Sequence, residues 1–420
     1  MHSRGRLCHK GNREANMSKV IYLDNNATTA VAPEVVDAMM PFLRDLYGNP
    51  SSIHTFGGQV ARHVERAREN MAALLGAEDP GEIIFTSCGT ESDNAAIRSA
   101  LACYPDRRHV VTTRVEHPAV RSVCQWLGQA VPGRPHYRVT ELPVDSQGML
   151  NLDKFKAALD DDTALVSVMW ANNETGVIFP VDQVGALCRE RGVLFHTDAV
   201  QAVGKVPMNL AKQPVDMLAL SGHKLHAPKG VGALYVRRGT RFAPYIMGGH
   251  QENNRRGGTE SVPLIVGLGK AAELANQRLD DENTRVRGLR DRLEKGLLTK
   301  APAARLNGHP DYRLPNTTNI SFEYVEGEAI LLMLNEHGVC ASSGSACTTG
   351  SLEPSHVLRA MGVPFTAAHG SIRFSLSVYT TPEEIDTVLQ VLPPIIRRLR
   401  EISPFGRDHL SAKALDSRQT

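Results

Sequence analysis

The sequence predicts an α/β fold, with a large domain built on a mostly parallel sheet covered by helices and a smaller α+β domain. Short apolar runs alternate with helix-length segments through most of the chain, which is typical of a parallel sheet with both faces buried. From about Ala271 this alternation gives way to long charged helices. The chain has 420 residues, enough for two apolar cores. The apolar runs lie at 83–85, 110–113, 165–169, 193–195, 217–220 and 232–236.

Before the first of these runs, the sequence predicts a short strand at 20–23 and two helices. The first helix is expected at 33–46, because proline at position 33 is well tolerated in a first helical turn. Residues 47–52 have the composition of a loop. The second helix is expected at 59–75, and Gly76 stops it.

After about Ala271 the sequence predicts a long charged helix at 271–300, short strands near 319–322 and 372–375, and a helix at 382–401. We therefore assign residues 31–269 to the large domain, and residues 17–30 with 270–405 to the small one. Residues 406–420 form a polar tail. Residues 1–16 are basic and lack an apolar stretch, so we expect a disordered leader or a start codon placed too far upstream, and no secretory signal.

Composition excludes several classes of protein. The net charge of +2 gives no reason to expect binding to nucleic acid or to an anionic membrane. No apolar run approaches the roughly 18 residues of a spanning helix, so we expect a soluble protein. Seven cysteines without a CxxC pair argue against a disulfide scaffold. We therefore expect a reduced, cytoplasmic environment.

Lys224 comes after the apolar run at 217–220 and the turn Ser221-Gly222-His223. Ligands of open α/β sheets lie just beyond the carboxyl ends of the strands, which is where this lysine is expected. Its amine could contact a phosphate, or form a Schiff base with a carbonyl cofactor such as pyridoxal phosphate (PLP). A solvated loop lysine is the ordinary alternative.

Small residues also follow the strand at 83–85, where residues 86–92 lead into a helix expected to begin near Asp93. Free backbone N–H groups and hydroxyls at a helix start can bind an anion. Simple capping of the helix by Thr90 or Ser92 is the alternative.

Three other strand ends carry polar side chains with two possible roles each. Asp198 could pair with a protonated pyridine nitrogen, or cap a helix. Asn172 and Asn173 could hydrogen-bond a phenolic oxygen or a substrate carboxylate, or form an Asx turn. His117 could stack on a flat ring and transfer protons, although a structural histidine is commoner.

Cys347 lies within the small-residue stretch 341–351. A buried cysteine normally has large apolar neighbours, so this composition predicts an exposed thiol on a movable loop that can attack a bound substrate. An incidental surface thiol is the alternative. Cys340, beside Val339, is instead expected to be buried and structural.

Together these motifs resemble the PLP-dependent cysteine desulfurases, specifically the NifS type associated with nitrogenase cluster assembly. The resemblance covers the chain apart from residues 1–16 and the tail beyond about 405. Cys88, where the family is expected to carry glycine or another small residue, is a minor departure. The matching segments are 22–29, 48–52, 172–176, 196–201, 221–224, 248–252, 256–260, 342–347, 371–375 and the helix at 382–401.

The resemblance implies a PLP fold of type I, with a seven-stranded sheet, and a role for each site residue. Lys224 would hold PLP as a Schiff base and later move the substrate Cα proton. Asp198 would pair with the pyridine nitrogen, Gln201 would contact the phenolic oxygen, and His117 would stack on the ring as an acid–base. The implied phosphate ligands are Gly89, Thr90, Ser221 and His223, together with Thr259 from a neighbouring copy, so a homodimer is expected.

The resemblance also implies the reaction. Asn173, which is expected to contact the cofactor as well, and Arg373 would bind the carboxylate of L-cysteine, Arg373 through a bidentate fork. Cys347 would attack the substrate sulfur, forming a persulfide and releasing L-alanine. The sulfur would pass to an iron–sulfur scaffold protein of the NifU type for nitrogenase. No resident metal is expected, although Cys347 would contact an iron–sulfur cluster transiently.

Three alternatives stay open at this point. The chain could be a housekeeping desulfurase that serves general iron–sulfur cluster assembly or tRNA thiolation. It could be a selenocysteine lyase or an aminotransferase of the same fold, which would use Lys224 and Asp198 but would not need Cys347. It could also be a non-catalytic assembly partner, although the intact set of cofactor residues speaks against that.

Overall fold

The computed structural model describes residues 20–133, 135–343 and 354–403. Its centre is a seven-stranded sheet, accompanied by a three-stranded sheet and a two-stranded pair. The strands are β1 Ile21–Tyr22, β2 Ile83–Thr86, β3 His109–Thr113, β4 Arg138–Leu142, β5 Thr163–Ser167, β6 Leu194–Asp198, β7 Met217–Ser221, β8 Gly232–Val236, β9 Ala304–Leu306, β10 Thr317–Phe322, β11 Val339–Cys340 and β12 Ser371–Ser375.

Helices cover these sheets and connect most of the strands. They are α1 Pro33–Arg44, α2 Thr55–Leu75, α3 Gly89–Cys103, α4 Pro118–Leu127, α5 Leu152–Ala158, α6 Val181–Glu190, α7 Gln251–Asn254, α8 Val262–Asp281, α9 Arg287–Lys300, α10 Gly327–Glu336, α11 His356–Ala360, α12 Phe365–His369 and α13 Pro382–Ile402. No helix within the described ranges is both long and apolar enough to cross a membrane.

The large sheet has the strand order β2-β8-β7-β6-β5-β3-β4, and β3 to β7 are parallel. Only β8 runs antiparallel to both of its neighbours. Every residue of β5 and β7 is buried, because helices cover both faces of the sheet. The predicted α/β fold with a mostly parallel, seven-stranded sheet is therefore confirmed.

Each of the six apolar runs forms a strand, and the seventh strand is the unpredicted β4. It lies at the sheet edge, and Arg138 and Glu141 make it too polar to show as an apolar run. Such half-exposed, charged edges are common because they discourage pairing with other chains.

Three helix starts differ from the prediction. α2 begins at Thr55 rather than 59, because the His54 side chain accepts the Gly57 N–H and caps the helix. α3 begins at Gly89 rather than near Asp93. α8 begins at Val262 rather than 271, and its first half is apolar and buried, which hid it from a search for charged periodicity.

Two large apolar clusters accompany the sheets. One packs against one face of the large sheet and includes α8 as far as Leu274, while a smaller third cluster packs α3 and α4 against the other face. The other contains Ile21, Leu23 and residues from Val286 onward, and packs α9, α10 and α13 against β10 and β12. A turn of π-helix, Glu282–Val286, joins α8 to α9 between the two clusters. Because α8 runs across the proposed boundary at 269/270, the domain division stays a prediction.

Candidate active site

A cavity of about 340 Å³ lies at the carboxyl ends of the central parallel strands. Asp198 ends β6 and Ser221 ends β7, so the strand ends bring these side chains to one edge of the sheet. Thr259 is exposed and does not line the cavity. Cys347 lies outside the described residues. The predicted residues that line the cavity are Gly89, Thr90, His117, Asn173, Asp198, Gln201, Ser221, His223, Lys224 and Arg373.

Lys224 projects from a short 3₁₀ turn between the antiparallel strands β7 and β8. Its Nζ donates hydrogen bonds to the carbonyl oxygens of Asn26, at 2.5 Å, and of Ala27, at 2.6 Å. The same N-terminal segment is fastened to the turn, since the Thr29 N–H donates to the His223 carbonyl at 3.0 Å. Both of these acceptors are uncharged main-chain carbonyls, and the side chain that they hold lines the cavity.

The start of α3 forms one end of the cavity, and Cys88 before it makes no side-chain cap. The first N–H groups of the helix therefore remain available for an anion. A Cβ on Gly89 would lie 2.7 Å from Val200 Cγ2, so only glycine permits this close approach. The alternative of capping by Thr90 or Ser92 is wrong, because the helix begins at Gly89 and both residues lie inside it.

His223 lies at the same end, and its Nδ1 is 3.2 Å from Thr28 Oγ1. Burial and the nearby Lys224 charge lower the pKa of His223 to about 4. The imidazole is therefore neutral near pH 7, and it can offer an anion a neutral hydrogen bond rather than a charge.

Asp198 and His117 also line the cavity. One Asp198 oxygen accepts the Val200 N–H at 2.9 Å within the turn that follows β6, and the predicted alternative of a helix cap is wrong because the described chain forms no helix between β6 and β7. Burial raises the pKa of Asp198, while the charges of His117 and Lys224 oppose the rise. His117 Nδ1 accepts the Ala119 N–H at 3.2 Å, so the neutral ring carries its proton on Nε2. Burial lowers the pKa of His117.

Gln201 is buried beside Asp198, and its Nε2 donates to the Asn26 carbonyl at 3.0 Å. Its Oε1 has no hydrogen-bond partner among the described residues. A buried amide oxygen of this kind normally has a partner, so the side chain has capacity for a further polar contact in the cavity.

Arg373 is buried and lines the cavity from β12. Its guanidinium donates to Asp24 at 2.6 Å and to the Asn173 carbonyl at 3.1 Å, and its buried Nε has no partner among the described residues. The unused donor suits an anionic group. The neighbouring Asn172 forms the predicted Asx turn, since its side chain accepts the N–H groups of Glu174 and Thr175.

Several residues of the site were missed at the sequence level. The Asn26 and Ala27 carbonyls that hold Lys224 lie in the matching segment 22–29, to which the sequence assigned no role in the site. Asp93 lines the cavity, although the sequence marked it only as a helix start. Glu116 is fully buried next to His117, and burial raises its pKa to about 8. The order Glu116-His117-Pro118 can be read from the sequence, but only the fold shows that the Glu116 carboxyl is buried.

The residues present fit PLP. The amine of Lys224, the inward-facing Asp198 and the uncapped N-terminus of α3 line one cavity, with separate places for an aldehyde, a ring nitrogen and a phosphate.

Cys340, expected to be buried, is half-buried in β11. Within the described ranges, no group of three or more histidine, cysteine, aspartate or glutamate side chains is arranged to hold a metal ion.

Comparisons with known proteins agree with this geometry. Residues 21–388 match the family described as class-V aminotransferases. The chain is 63% identical to cysteine desulfurase 2 of Trichormus variabilis, over 93% of this chain and 96% of the relative. It is 59% identical to the cysteine desulfurase NifS of Azotobacter vinelandii, over 92% and 94%. A solved NifS-like protein, 39% identical, superposes with a TM-score of 0.83 over 90% of this chain and 100% of that structure.

Proposed function

Since the chain belongs to the class-V aminotransferase family and is a PLP-dependent cysteine desulfurase, we propose that Cys347 receives the sulfur of L-cysteine as a persulfide. The observation that supports this proposal most directly is the shared cavity of Lys224 and Arg373. One side chain suits the cofactor carbonyl and the other suits a substrate carboxylate, so an α-amino acid bound between them has its Cα beside the Lys224 amine.

In the proposed reaction each residue has a separate task. PLP, when bound, supplies a carbonyl for the substrate amine and a ring that accepts electrons from the substrate Cα. Arg373 and Asn173 bind the substrate carboxylate, and Lys224 removes and returns the proton at Cα. Asp198 stabilises positive charge on the ring nitrogen. His117 packs against the ring and donates a proton from Nε2.

The sulfur step balances without an added oxidant. The Cys347 thiolate attacks the substrate sulfur, so that a sulfur–sulfur bond forms while the Cβ–sulfur bond breaks. The electron pair of the broken bond stays on Cβ, which takes up a proton and becomes the methyl group of L-alanine. Cys347 keeps the transferred sulfur as a persulfide until a nucleophilic thiol of an acceptor removes it.

The test is Cys347→Ala, with Cys103→Ala as the control. Cys103 ends α3 and does not line the cavity. We expect Cys347→Ala to retain the yellow cofactor band and to lose nearly all release of alanine and sulfide, and Cys103→Ala to keep both. Undiminished release by Cys347→Ala would overturn the persulfide mechanism and favour a lyase of the same fold that does not need Cys347, such as a selenocysteine lyase. Absence of the yellow band in the native protein would favour a non-catalytic assembly partner.

We also propose that the enzyme is a homodimer in which Thr259 of each subunit completes the phosphate site of the other. Thr259 is exposed and lies outside the cavity of its own chain, which supports this arrangement. Large apolar side chains are strongly exposed as well, including Met247, whose main chain lies beside Gly257, and Ile53, both at 83% or more of their surface. Such exposure is typical of an interface.

The sulfur acceptor that we propose is a NifU-type scaffold protein serving nitrogenase. The identity of 59% to NifS of Azotobacter vinelandii supports this choice over a housekeeping role. The test is transfer of labelled sulfur from the persulfide to an equimolar mixture of a NifU-type scaffold and a housekeeping scaffold. We expect the NifU-type scaffold to receive most of the label. Equal labelling, or preference for the housekeeping scaffold, would support general iron–sulfur or tRNA-thiolation duty instead.

A further inference from the structure

A second, much smaller cavity of about 30 Å³ also touches Lys224. It is lined by the buried side chains of Lys205 and Glu282, neither of which lines the main cavity. A space of this size admits a water molecule or two but no substrate. Two buried charged groups next to the cofactor lysine therefore have no task in the reaction as described above.

Lys205 is 6% exposed, and its ammonium group contacts the main chain of Lys224. The Nζ of Lys205 donates to the carbonyl oxygen of Lys224 at 3.4 Å. Asn283, at the start of the π-helical turn, donates from its side chain to the Lys205 carbonyl at 2.9 Å. The main chain of the cofactor lysine is thus linked through Lys205 to the segment that joins the two apolar clusters.

Glu282 is the second buried ionisable side chain that lines this small cavity. It is also 6% exposed, and its Oε2 has no hydrogen-bond partner among the described residues. Burial raises the pKa of Glu282 to about 7, and the charge of Lys205 opposes the rise. Burial lowers the pKa of Lys205, and the charge of Glu282 opposes that change. Each group therefore stabilises the ionised form of the other.

We propose that Lys205 is a positioning residue for Lys224, and that Glu282 is the counter-charge that keeps the Lys205 ammonium buried beside the Lys224 carbonyl. This inference rests on the cofactor role proposed above for Lys224. The Lys224 amine must leave the Asn26 and Ala27 carbonyls to work at the substrate. Its side chain can pivot reproducibly only if its own main chain stays in place, and that is the task of Lys205.

Stability alone does not justify burying two side chains of opposite charge at one cavity. Desolvation of two charges offsets their attraction, so an apolar pair of similar volume is often as stable. Removal of one partner, in contrast, leaves an uncompensated charge and is strongly destabilising. This asymmetry separates a structural role from a positioning role, because replacing both partners restores stability without restoring the hydrogen bond to Lys224.

The experiment compares Lys205→Met, Glu282→Gln and the double variant, all as full-length protein, with Lys212→Met on the surface as the control. We expect each single variant to lower the melting temperature of the apoprotein by roughly 5 °C and the double variant to recover most of that loss. The control should melt like the native protein. Equal, additive losses in the double variant would show that the two residues do not form a pair, which would overturn the role of Glu282.

The second measurement addresses positioning. We expect the lysine-bound cofactor band to form about tenfold more slowly after addition of PLP in Lys205→Met and equally slowly in the double variant. The turnover number for L-cysteine should fall with it, while KM stays unchanged because Arg373 and Asn173 are untouched. If the rate of band formation recovers together with stability in the double variant, Lys205 is merely structural. Band formation requires no sulfur chemistry, so this result stands even if the proposed desulfurase reaction fails.

Discussion

Glu116 shows what burial beside an active site does to a single carboxyl group. It is fully buried, and one oxygen accepts the Thr113 hydroxyl at 2.7 Å and the Met169 N–H at 3.1 Å. Its other oxygen has no partner among the described residues. Burial outweighs the two hydrogen bonds and raises the pKa to about 8. The carboxyl therefore stays protonated near neutral pH and adds no negative charge next to His117.

This pKa predicts how folding stability changes with pH. The native protein keeps the Glu116 proton up to about pH 8, whereas the unfolded chain loses it near pH 4.5. The contribution of Glu116 to the free energy of unfolding is thus fully present below about pH 4.5. It falls by on the order of 3 to 5 kcal/mol as pH rises to 8. We therefore expect the stability of Glu116→Gln relative to the native protein to be greater at pH 8 than at pH 5 by about this amount.

Urea unfolding at a series of pH values measures the effect. The control is Glu69→Gln, an exposed residue of α2, whose stability should follow the native curve at every pH. If the free energy of unfolding of Glu116→Gln also changes with pH as that of the native protein does between pH 5 and 8, Glu116 is ionised in the folded state and its raised pKa is wrong.

At the scale of elements, the end of α2 depends on a glycine for two reasons. Gly76 has φ of +61°, and the N–H of Ala77 closes the helix on the Ala72 carbonyl at 2.9 Å. A Cβ on Gly76 would also lie 2.8 Å from Asn209 Cα, which is main chain and cannot easily move. Gly192, after α6, has nearly the same φ of +60° but nothing within 4 Å of its Cβ position.

The two glycines form a matched pair that separates backbone strain from collision. We expect Gly192→Ala to lower the free energy of unfolding by about 1 kcal/mol, which is the cost of the left-handed conformation alone. Gly76→Ala adds the collision with Asn209, so we expect a loss of about 3 kcal/mol or more. Chemical denaturation of both variants measures the difference. Equal losses would mean that the helix end shifts to accommodate the methyl group.

Which elements were predictable follows from how each is buried. β7 and β8 are buried on both faces, so their apolar runs marked them directly. The edge strand β4 and the five-residue helices α11 and α12 carry too little apolar periodicity to be recognised. The same holds for the π-helical turn after α8, since its geometry is set by the join between two apolar clusters.

Some residues of the site were predictable from the sequence and others were not. Side chains at strand ends, such as Asp198 and His117, were predictable because parallel strands bring their carboxyl ends together. The carbonyls of Asn26 and Ala27 were not, because main-chain groups leave no trace in residue type. The placement of Lys205 depends on tertiary packing that no local pattern encodes.

At the scale of the whole molecule, the proposed homodimer makes a prediction about mixed subunits. If Thr259 completes the phosphate site of the other subunit, Thr259→Arg damages the site across the interface, whereas Lys224→Ala damages the site of its own chain. A mixed dimer of the two variants then contains one site with both defects and one with neither. Each variant alone should be almost inactive.

We expect an equal mixture, unfolded and refolded together, to recover roughly a quarter of the native desulfurase activity, because about half of the dimers are mixed and each has one intact site. Native protein carried through the same refolding step sets the scale. Light scattering should give twice the chain mass of 45.8 kDa. No recovery from dimeric mixtures would place Thr259 in its own subunit, and a monomeric mass would exclude the shared site.

The fastening of the N-terminal segment has a consequence for biosynthesis. The Asn25 side chain donates to the Ser375 carbonyl at 2.9 Å, although the two residues are 350 positions apart. The Asn26 N–H donates to the Ser375 hydroxyl, also at 2.9 Å. At ribosomal speeds of about 5 to 20 residues per second, Asn26 emerges roughly 20 to 70 seconds before its partner exists. The main-chain carbonyls that contact Lys224 are therefore fixed only after Ser375 has been synthesised, and until then a nascent chain lacks the contacts that position the Lys224 amine.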